Sequence, residues 1–397
     1  MDIGEKKEIN IILFMDRDFS IIGGDEVYFN NFLKYIDIEK YLIQIYTPEK
    51  SNLNSVQNRK YRVVTYSYKQ KVFHNFFRFL NPLLKLVCLY NATKNKLKKS
   101  GNSVMITSDY LPILAAFFSN RRIKSIFVPG SLVTFDFLFD IDSSGGFFYQ
   151  FSRKLQRFMI TALEFFTYRL SSFVIVSTKF SKSNIMNYFH VRKKKIYVIP
   201  IGIDLASFIA AGEFRKKNKK IILSVGRLVK SKNIQMAIDA MRYLSEDYIW
   251  FVLGEGPEKN TLLDKIKEEN LEKRFFLLGQ KKDVQRYYKA CDVFVHLSYH
   301  ENFGLVLLEA MHYGKPPIVL RPDLPGVFTA SSEIISNGYN GFFVDNCAEK
   351  IAAKIKEVSA MNMSEISNNC SEFIRQYSFE NHLKGLCKLI ESNANHA

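Results

Sequence analysis

The chain has 397 residues, 47% apolar and 24% charged, which predicts a soluble globular protein of two or three domains with ample core. Its net charge of +17 is concentrated: residues 1–200 hold 30 basic and 15 acidic side chains, and residues 51–100 hold 11 basic and none acidic. No apolar run reaches the eighteen residues of a membrane span, the polar start MDIGEKKE does not read as a signal peptide, and the five scattered cysteines (Cys88, Cys291, Cys347, Cys370, Cys387) fit neither a disulfide framework nor a zinc site, so a reducing, cytoplasmic setting is expected.

Residues 9–15, INIILFM, predict a buried first strand. A loop follows to Gly23-Gly24, then a helix from about Asp25 to Tyr35. Two glycines at such a turn let backbone amides approach a phosphate, although a plain strand-to-helix turn explains them equally well. Asp16-x-Asp18 and Asp140-x-Asp142 have the spacing of a divalent-metal motif and are read as accidents of loop composition. Strands are predicted at 41–46, 61–65, 104–108, 124–128, 173–177 and 195–199, mostly with helices between them, which argues for a parallel sheet. Two helical stretches carry aromatic and basic residues together. In 72–99, Phe73, Phe76, Phe77 and Leu80 cluster on one side and Pro82 is expected to interrupt the helix. In 145–170, Phe and Tyr alternate with Arg153, Lys154 and Arg157. Such faces suit an anionic membrane, or a core helix with a solvated basic side. No helix-turn-helix, RRM or zinc-finger pattern appears, so nucleic acid is not expected as a partner.

The run Arg215 to Lys220 is a solvated approach to a strand at 221–225. Gly226-Arg227 follows, with Lys232 in a helix expected to begin near Ser231; the two spaced cations would clamp a diphosphate. Gly254 and Gly279-Gln280 end two further strands. Val293 to Leu297 predicts another buried strand, Ser298 to Asn302 a polar loop, and about Phe303 to His312 an apolar helix stopped by Gly314. Glu309 shares a face of that helix with Leu305, Val306, His312 and Tyr313. A carboxylate there needs partners. Ligand hydroxyls would serve, and so would a buried salt bridge. The amides of Phe303, Gly304 and Leu305 stand at the helix N-terminus, where an anion is favoured. The predicted strand ends at 226, 254, 279 and 298 share one sheet edge, where doubly wound folds bind ligands.

Glu301, seven residues and Glu309 resemble the E-x7-E motif of the retaining glycosyltransferases of family 4. The flanks Ala290-Cys291-Asp292-Val293, Glu309-Ala310-Met311 and Gly314-Lys315-Pro316-Pro317 are similar too. The resemblance is specific over 221–345 and loose over 1–200. It implies an α/β GT-B fold: two doubly wound Rossmann-like domains facing a central cleft, at 1–202 (acceptor) and 203–377 (donor), with a terminal helix, 378–397, crossing back to the first. It implies transfer from a UDP- or GDP-sugar, without a metal or other cofactor. Glu301 would lie by the donor sugar, Glu309 would bind the ribose, and Arg227, Lys232 and the amides of Phe303, Gly304 and Leu305 would hold the diphosphate. Gly23 and Gly24 would flank donor phosphate or acceptor, and the turns at Gly226, Gly254, Gly279 and Gln280 would line the nucleotide. One departure is Pro129, where many members of the family carry a histidine directed at the reaction centre. The basic first half favours a lipid-linked or polysaccharide acceptor at the inner face of the cell membrane, as in envelope-glycan assembly. Alternatives are a GT-B epimerase or phosphorylase, or a non-catalytic basic protein binding membrane or nucleic acid.

Overall fold

The computed structural model describes residues 9–14, 24–48, 61–66, 80–99, 103–129, 147–205 and 219–394. Gly23, both Asp-x-Asp motifs, Phe73, Phe76, Phe77 and residues 215–218 of the basic run lie outside them. The chain divides into two compact units, residues 1–200 with 379–397, and residues 201–378.

The first unit is built on seven strands: β1 (Ile9–Phe14), β2 (Tyr41–Pro48), β3 (Arg62–Tyr66), β4 (Ser103–Thr107), β5 (Lys124–Phe127), β6 (Phe173–Val176) and β7 (Ile196–Val198). Their order is β3-β2-β1-β4-β5-β6-β7, and every pairing is parallel. The strand sequences are near-continuous apolar runs because helices cover both faces of a parallel sheet. Ile11 to Phe14 and all of β4 are buried. The helices are α1 (Gly24–Tyr35), α2 (Asn81–Lys98), α3 (Tyr110–Ser119), α4 (Phe147–Leu170) and α5 (Lys179–Phe189). Pro82 occupies the first turn of α2, where its missing N–H would have had no partner, and residues 72–79 before it lie outside the described residues.

The second unit has six strands in one sheet: β8 (Lys220–Val225), β9 (Tyr248–Leu253), β10 (Phe275–Leu277), β11 (Val293–His296), β13 (Pro317–Leu320) and β15 (Phe342–Val344). Their order is β10-β9-β8-β11-β13-β15, again all parallel. A small parallel pair stands apart, β12 (His300–Glu301) with β14 (Phe328–Thr329). The helices are α6 (Ile234–Met241), α7 (Lys259–Glu268), α8 (Val284–Ala290), α9 (Leu305–His312), α10 (Ser331–Ile334), α11 (Ala348–Ala360) and α12 (Ser364–Phe373). Strand order reverses between β8 and β11, so the crevice at their carboxyl ends is the topological switch point where such sheets bind ligands. The buried Trp250 indole donates to Ser224 Oγ at 3.0 Å, and Ser224 donates to the Val295 carbonyl at 2.7 Å, which ties β9, β8 and β11 together beneath that edge.

The last helix, α13 (Phe379–Ala394), belongs to the first unit and packs on α1. His382 is its peg. The Pro200 carbonyl can only accept, so Nδ1 of His382 donates to it at 2.8 Å, and the Tyr28 hydroxyl donates to Nε2 at 2.9 Å. Burial lowers the His382 pKa to about 4, which keeps this neutral arrangement at physiological pH.

Candidate active site

The site is built from the loops that follow β8 and β11. After Gly226 and Arg227 the chain makes a 3-10 turn, Lys230–Lys232, and reaches Asn233 with φ 54°; α6 begins only at Ile234. The helix expected from Ser231 is therefore delayed by a left-handed residue, which leaves Lys232 in the turn rather than on the helix. The turn is tied to the loop after β11: the Tyr299 amide donates to the Ser231 carbonyl at 2.8 Å, and so does Ser298 Oγ at 3.2 Å. Glu301 lies on β12, whose pairing with β14 sequence periodicity did not reveal.

These constraints bring Lys232 and Glu301 into direct contact. Lys232 Nζ lies 2.6 Å from Glu301 Oε2, and both side chains are about four-fifths buried, at 20% and 19% exposure. The same oxygen lies 3.0 Å from Nε2 of His296, the last residue of β11. Burial alone would raise the Glu301 carboxyl. The Lys232 ammonium and the His296 hydrogen bond outweigh it and hold the group well below the usual carboxylate range. Burial lowers the His296 pKa more than Glu301 raises it. A neutral imidazole facing an ionised carboxylate must carry its proton on Nε2, so His296 donates to Glu301. His296, Lys232, Asn233 and Gly226 all line one small hollow over the carboxyl ends of β8 and β11.

Arg227 follows Gly226 in the same turn and is exposed, with no partner for its guanidinium among the described residues. The amides of Phe303, Gly304 and Leu305 likewise have no acceptor among the described residues. Gly304 supplies the left-handed N-cap of α9, with φ 84°. The Phe303 side chain is buried and packs on Tyr377 with ring centroids 5.7 Å apart, so Phe303 offers the site only its backbone.

Glu309 finds one of the partners it needs within the protein, and that partner is a hydroxyl rather than a salt bridge. The Tyr288 hydroxyl donates to its Oε2 at 2.8 Å, and the Tyr288 ring stacks on Tyr313 with centroids 5.8 Å apart. Burial raises the Glu309 pKa against that hydrogen bond. The other oxygen of Glu309 has no partner among the described residues, and no hydrogen bond or ion pair links Glu309 to the Lys232–Glu301 pair.

Gly226, Gly254 and Gly279 stitch three sheet-edge turns together. Gly226 donates to the Leu253 carbonyl at 2.9 Å and Gly254 to the Gly279 carbonyl at 3.0 Å. A Cβ on Gly254, which sits at φ +144°, would fall 1.9 Å from the Gly226 carbonyl oxygen. Gly254→Ala should therefore destabilise the second unit by about 3 kcal/mol or more, since backbone blocks the methyl and the dihedral is strained besides. Thermal denaturation read by circular dichroism tests this, and an unchanged Tm would contradict it. Gln280 is exposed next to this seam.

In the first unit, Gly24 opens α1, Pro129 follows β5, and Asp109 occupies the N-cap position of α3 without a side-chain capping bond. His296 and Tyr288 were missed from sequence. The available signals were a polar residue closing a buried strand five residues before Glu301, and a tyrosine whose hydroxyl, if buried, needs a partner.

Two all-parallel doubly wound units, the second with cations, a carboxylate and free amides at its switch point, define a GT-B protein. HepE from Anabaena in complex with UDP-glucose superposes over 97% of this chain and 100% of its own, with a TM-score of 0.72 at 16% identity. Sucrose-phosphate synthase from Thermosynechococcus elongatus does so over 98% and 100%, with a TM-score of 0.78 at 18% identity. Residues 22–207 match the family model described as Glycosyltransferase Family 4, and residues 207–377 that described as Glycosyl transferases group 1. The chain belongs to the family 4 glycosyltransferases. It is 28% identical over 235 residues to the UDP-Gal:alpha-D-GlcNAc-diphosphoundecaprenol alpha-1,3-galactosyltransferase of Escherichia coli, covering 55% of this chain and 59% of that protein. It is 33% identical over 162 residues to the N-acetylgalactosamine-N,N'-diacetylbacillosaminyl-diphospho-undecaprenol 4-alpha-N-acetylgalactosaminyltransferase of Campylobacter jejuni, covering 41% and 43%. The chain spans about half the length of the curated relatives it matches.

Proposed function

We propose that this protein is a retaining glycosyltransferase that moves a sugar from a UDP- or GDP-sugar to a lipid-linked or polysaccharide acceptor in cell-envelope glycan assembly. The observation that carries the reading is the meeting of Lys232, Glu301 and His296 at the edge where a doubly wound sheet takes its ligand, in the turn that also carries Arg227, whose guanidinium has no partner among the described residues. The relatives named for diphosphoundecaprenol acceptors support the acceptor class. The same reading carries a cytoplasmic location peripheral to the membrane that holds such an acceptor.

As the glycosidic bond breaks, charge develops on the departing diphosphate and on the anomeric centre. Arg227 offers the diphosphate a planar fork of donors and Lys232 a point charge. The unsatisfied amides at the start of α9 add fixed dipoles. For Lys232 to reach a phosphate it must loosen its 2.6 Å contact with Glu301, and His296 then remains as the donor that holds Glu301 in place to orient the sugar. Glu309 accepts from the ribose hydroxyls through the oxygen that Tyr288 leaves open. The charge handling needs no metal ion.

Calorimetric titration with UDP, GDP and their sugars tests the reading. Binding of one nucleotide class, weakened in Arg227→Ala, is expected; no binding of any would overturn it. Product formation that requires no separate acceptor would instead favour an epimerase or phosphorylase.

The role given to His296 has its own test. His296→Leu should lower kcat about tenfold, the usual worth of one charge-assisted hydrogen bond, with little change in donor KM. His296→Gln, whose side-chain amide can still donate to Glu301, should recover most of that loss. Equal rates in the two variants would remove His296 from the mechanism.

A further inference from the structure

Helices α2 and α4 pack on one another and on α3, forming one layer over the first sheet. Their inward faces are ordinary core: Leu86, Leu89 and Leu97 from α2, and Ile160, Leu163 and Tyr168 from α4, are all buried. Their outward faces are not ordinary surface. Along α4, Lys154, Phe158, Phe166 and Arg169 recur at helical spacing on the exposed side, with Phe158 at 69% and Phe166 at 53% exposure. Along α2 the matching stripe is Leu83, Val87, Lys94 and Lys98, with Leu83 and Val87 also exposed. Cations lie over rings on both helices: Arg169 is 5.2 Å from the Phe165 centroid, and Lys94 is 5.5 Å from that of Tyr90.

Acidic residues are missing from these faces. Residues 80–99 contain none, and the single acid of α4, Glu164, is 1% exposed and faces the core. A lone exposed phenylalanine needs no explanation. Apolar residues interleaved with cations on two neighbouring helices, whose own one acid is turned to the core, form the surface that lies in a lipid headgroup region.

We infer that the outward faces of α2 and α4 dock the protein on an anionic lipid bilayer, the rings and aliphatic side chains entering the acyl boundary while Lys94, Lys98, Lys154 and Arg169 meet lipid phosphates. Charge complementarity selects this occupant. A second copy would bring two strongly basic halves together and repel. Single-stranded nucleic acid would use the rings as stacking platforms, but Leu83 and Val87 have no π-face to offer a base. The inference rests on the peripheral location proposed above and names the surface that docks, but its test does not depend on donor binding.

Flotation with phosphatidylcholine vesicles, alone or mixed with phosphatidylglycerol, tests it on the full chain without donor or acceptor. Recovery only with the phosphatidylglycerol vesicles, reduced by added salt, is expected. Phe158→Ser with Phe166→Ser should cut it at least about tenfold, since each ring removed gives up apolar area transferred from water. Lys94→Gln with Lys98→Gln and Lys154→Gln should cut it about a hundredfold, at roughly fivefold for each cation near an anionic leaflet. All five positions lie on outward faces, and unchanged circular dichroism would confirm that both variants fold. Equal recovery with both vesicle types, recovery with neither, or full recovery of either variant would overturn the inference. Displacement of the vesicles by a single-stranded oligonucleotide that loses affinity in the same variants would overturn it in favour of nucleic acid. Failure here leaves the transferase reading standing, because nucleotide titration reads that site separately.

Discussion

Lys232→Ala is expected to slow glycosyl transfer at least about a hundredfold, the usual cost of removing one preorganised donor from developing transition-state charge. The loss should fall mainly on kcat, because the diphosphate is bound before its charge is fully developed. Two effects would combine. The ammonium that meets the leaving group is gone, and Glu301, which it contacts at 2.6 Å, is left with His296 as its one partner among the described residues. A Lys232→Ala, Glu301→Gln double variant separates them. If Lys232 serves chiefly to neutralise Glu301, the double variant recovers activity lost in Lys232→Ala; if it stabilises diphosphate, the double variant stays slow. The pH profile gives a second readout. Glu301 is held ionised far below neutrality in the wild type, so it adds no acid limb near pH 6. Without Lys232 the larger remaining influence is burial, which raises a carboxyl, so any acid limb must move upward. Wild-type kcat in Lys232→Ala would place the diphosphate elsewhere.

The parts of this site that could be read in advance were those encoded in contiguous residues. An apolar run ending in a polar loop and an apolar helix is a local pattern, and it placed β11, Glu301 and α9 within about two residues. What could not be read depended on pairings distant in sequence. Glu301 sits on a two-residue strand that exists because Phe328 and Thr329, far along the chain, pair with it. Neither segment has a period that short to detect. Asn233 delayed α6 by adopting a left-handed conformation, a choice its own short polar side chain permits and that its link to Asn346 at 2.9 Å reinforces. Pro82 was expected inside a longer helix, whereas α2 starts at Asn81 and places it in the first turn. Tyr288 escaped notice because a tyrosine at the end of an amphipathic helix looks like packing until its hydroxyl is found on a carboxylate. The general lesson is physical: local sequence sets the elements, while the electrostatics of a site come from side chains that only the sheet order brings together.

Glu309→Ala is expected to reduce transfer at least about a hundredfold as well, but through donor KM rather than kcat, since a ribose contact is made equally in the ground state and the transition state. The variant also strands the Tyr288 hydroxyl, which is buried and donates to Glu309 at 2.8 Å. That unpaired donor should cost about 1–3 kcal/mol of stability, so the comparison variant is Glu309→Ala with Tyr288→Phe, in which both partners are removed. The pH dependence has a definite sign. Burial raises the Glu309 pKa, so the carboxylate is lost to protonation at a higher pH than an exposed glutamate would be. A protonated Glu309 accepts poorly from two ribose hydroxyls, so donor affinity should fall as pH drops through that raised value, and Glu309→Gln should flatten the fall. The folding linkage runs the other way: a raised carboxyl favours the protonated native state, so this group's contribution to stability declines as pH rises. The decisive experiment pairs the variant with a truncated ligand. If Glu309 grips the ribose, UDP lacking both ribose hydroxyls should bind wild type and Glu309→Ala equally weakly, giving a strong coupling in the double cycle. Additive losses would mean that Glu309 acts only through Tyr288, as part of the packing of α8 against α9, and that the ribose is held by other groups.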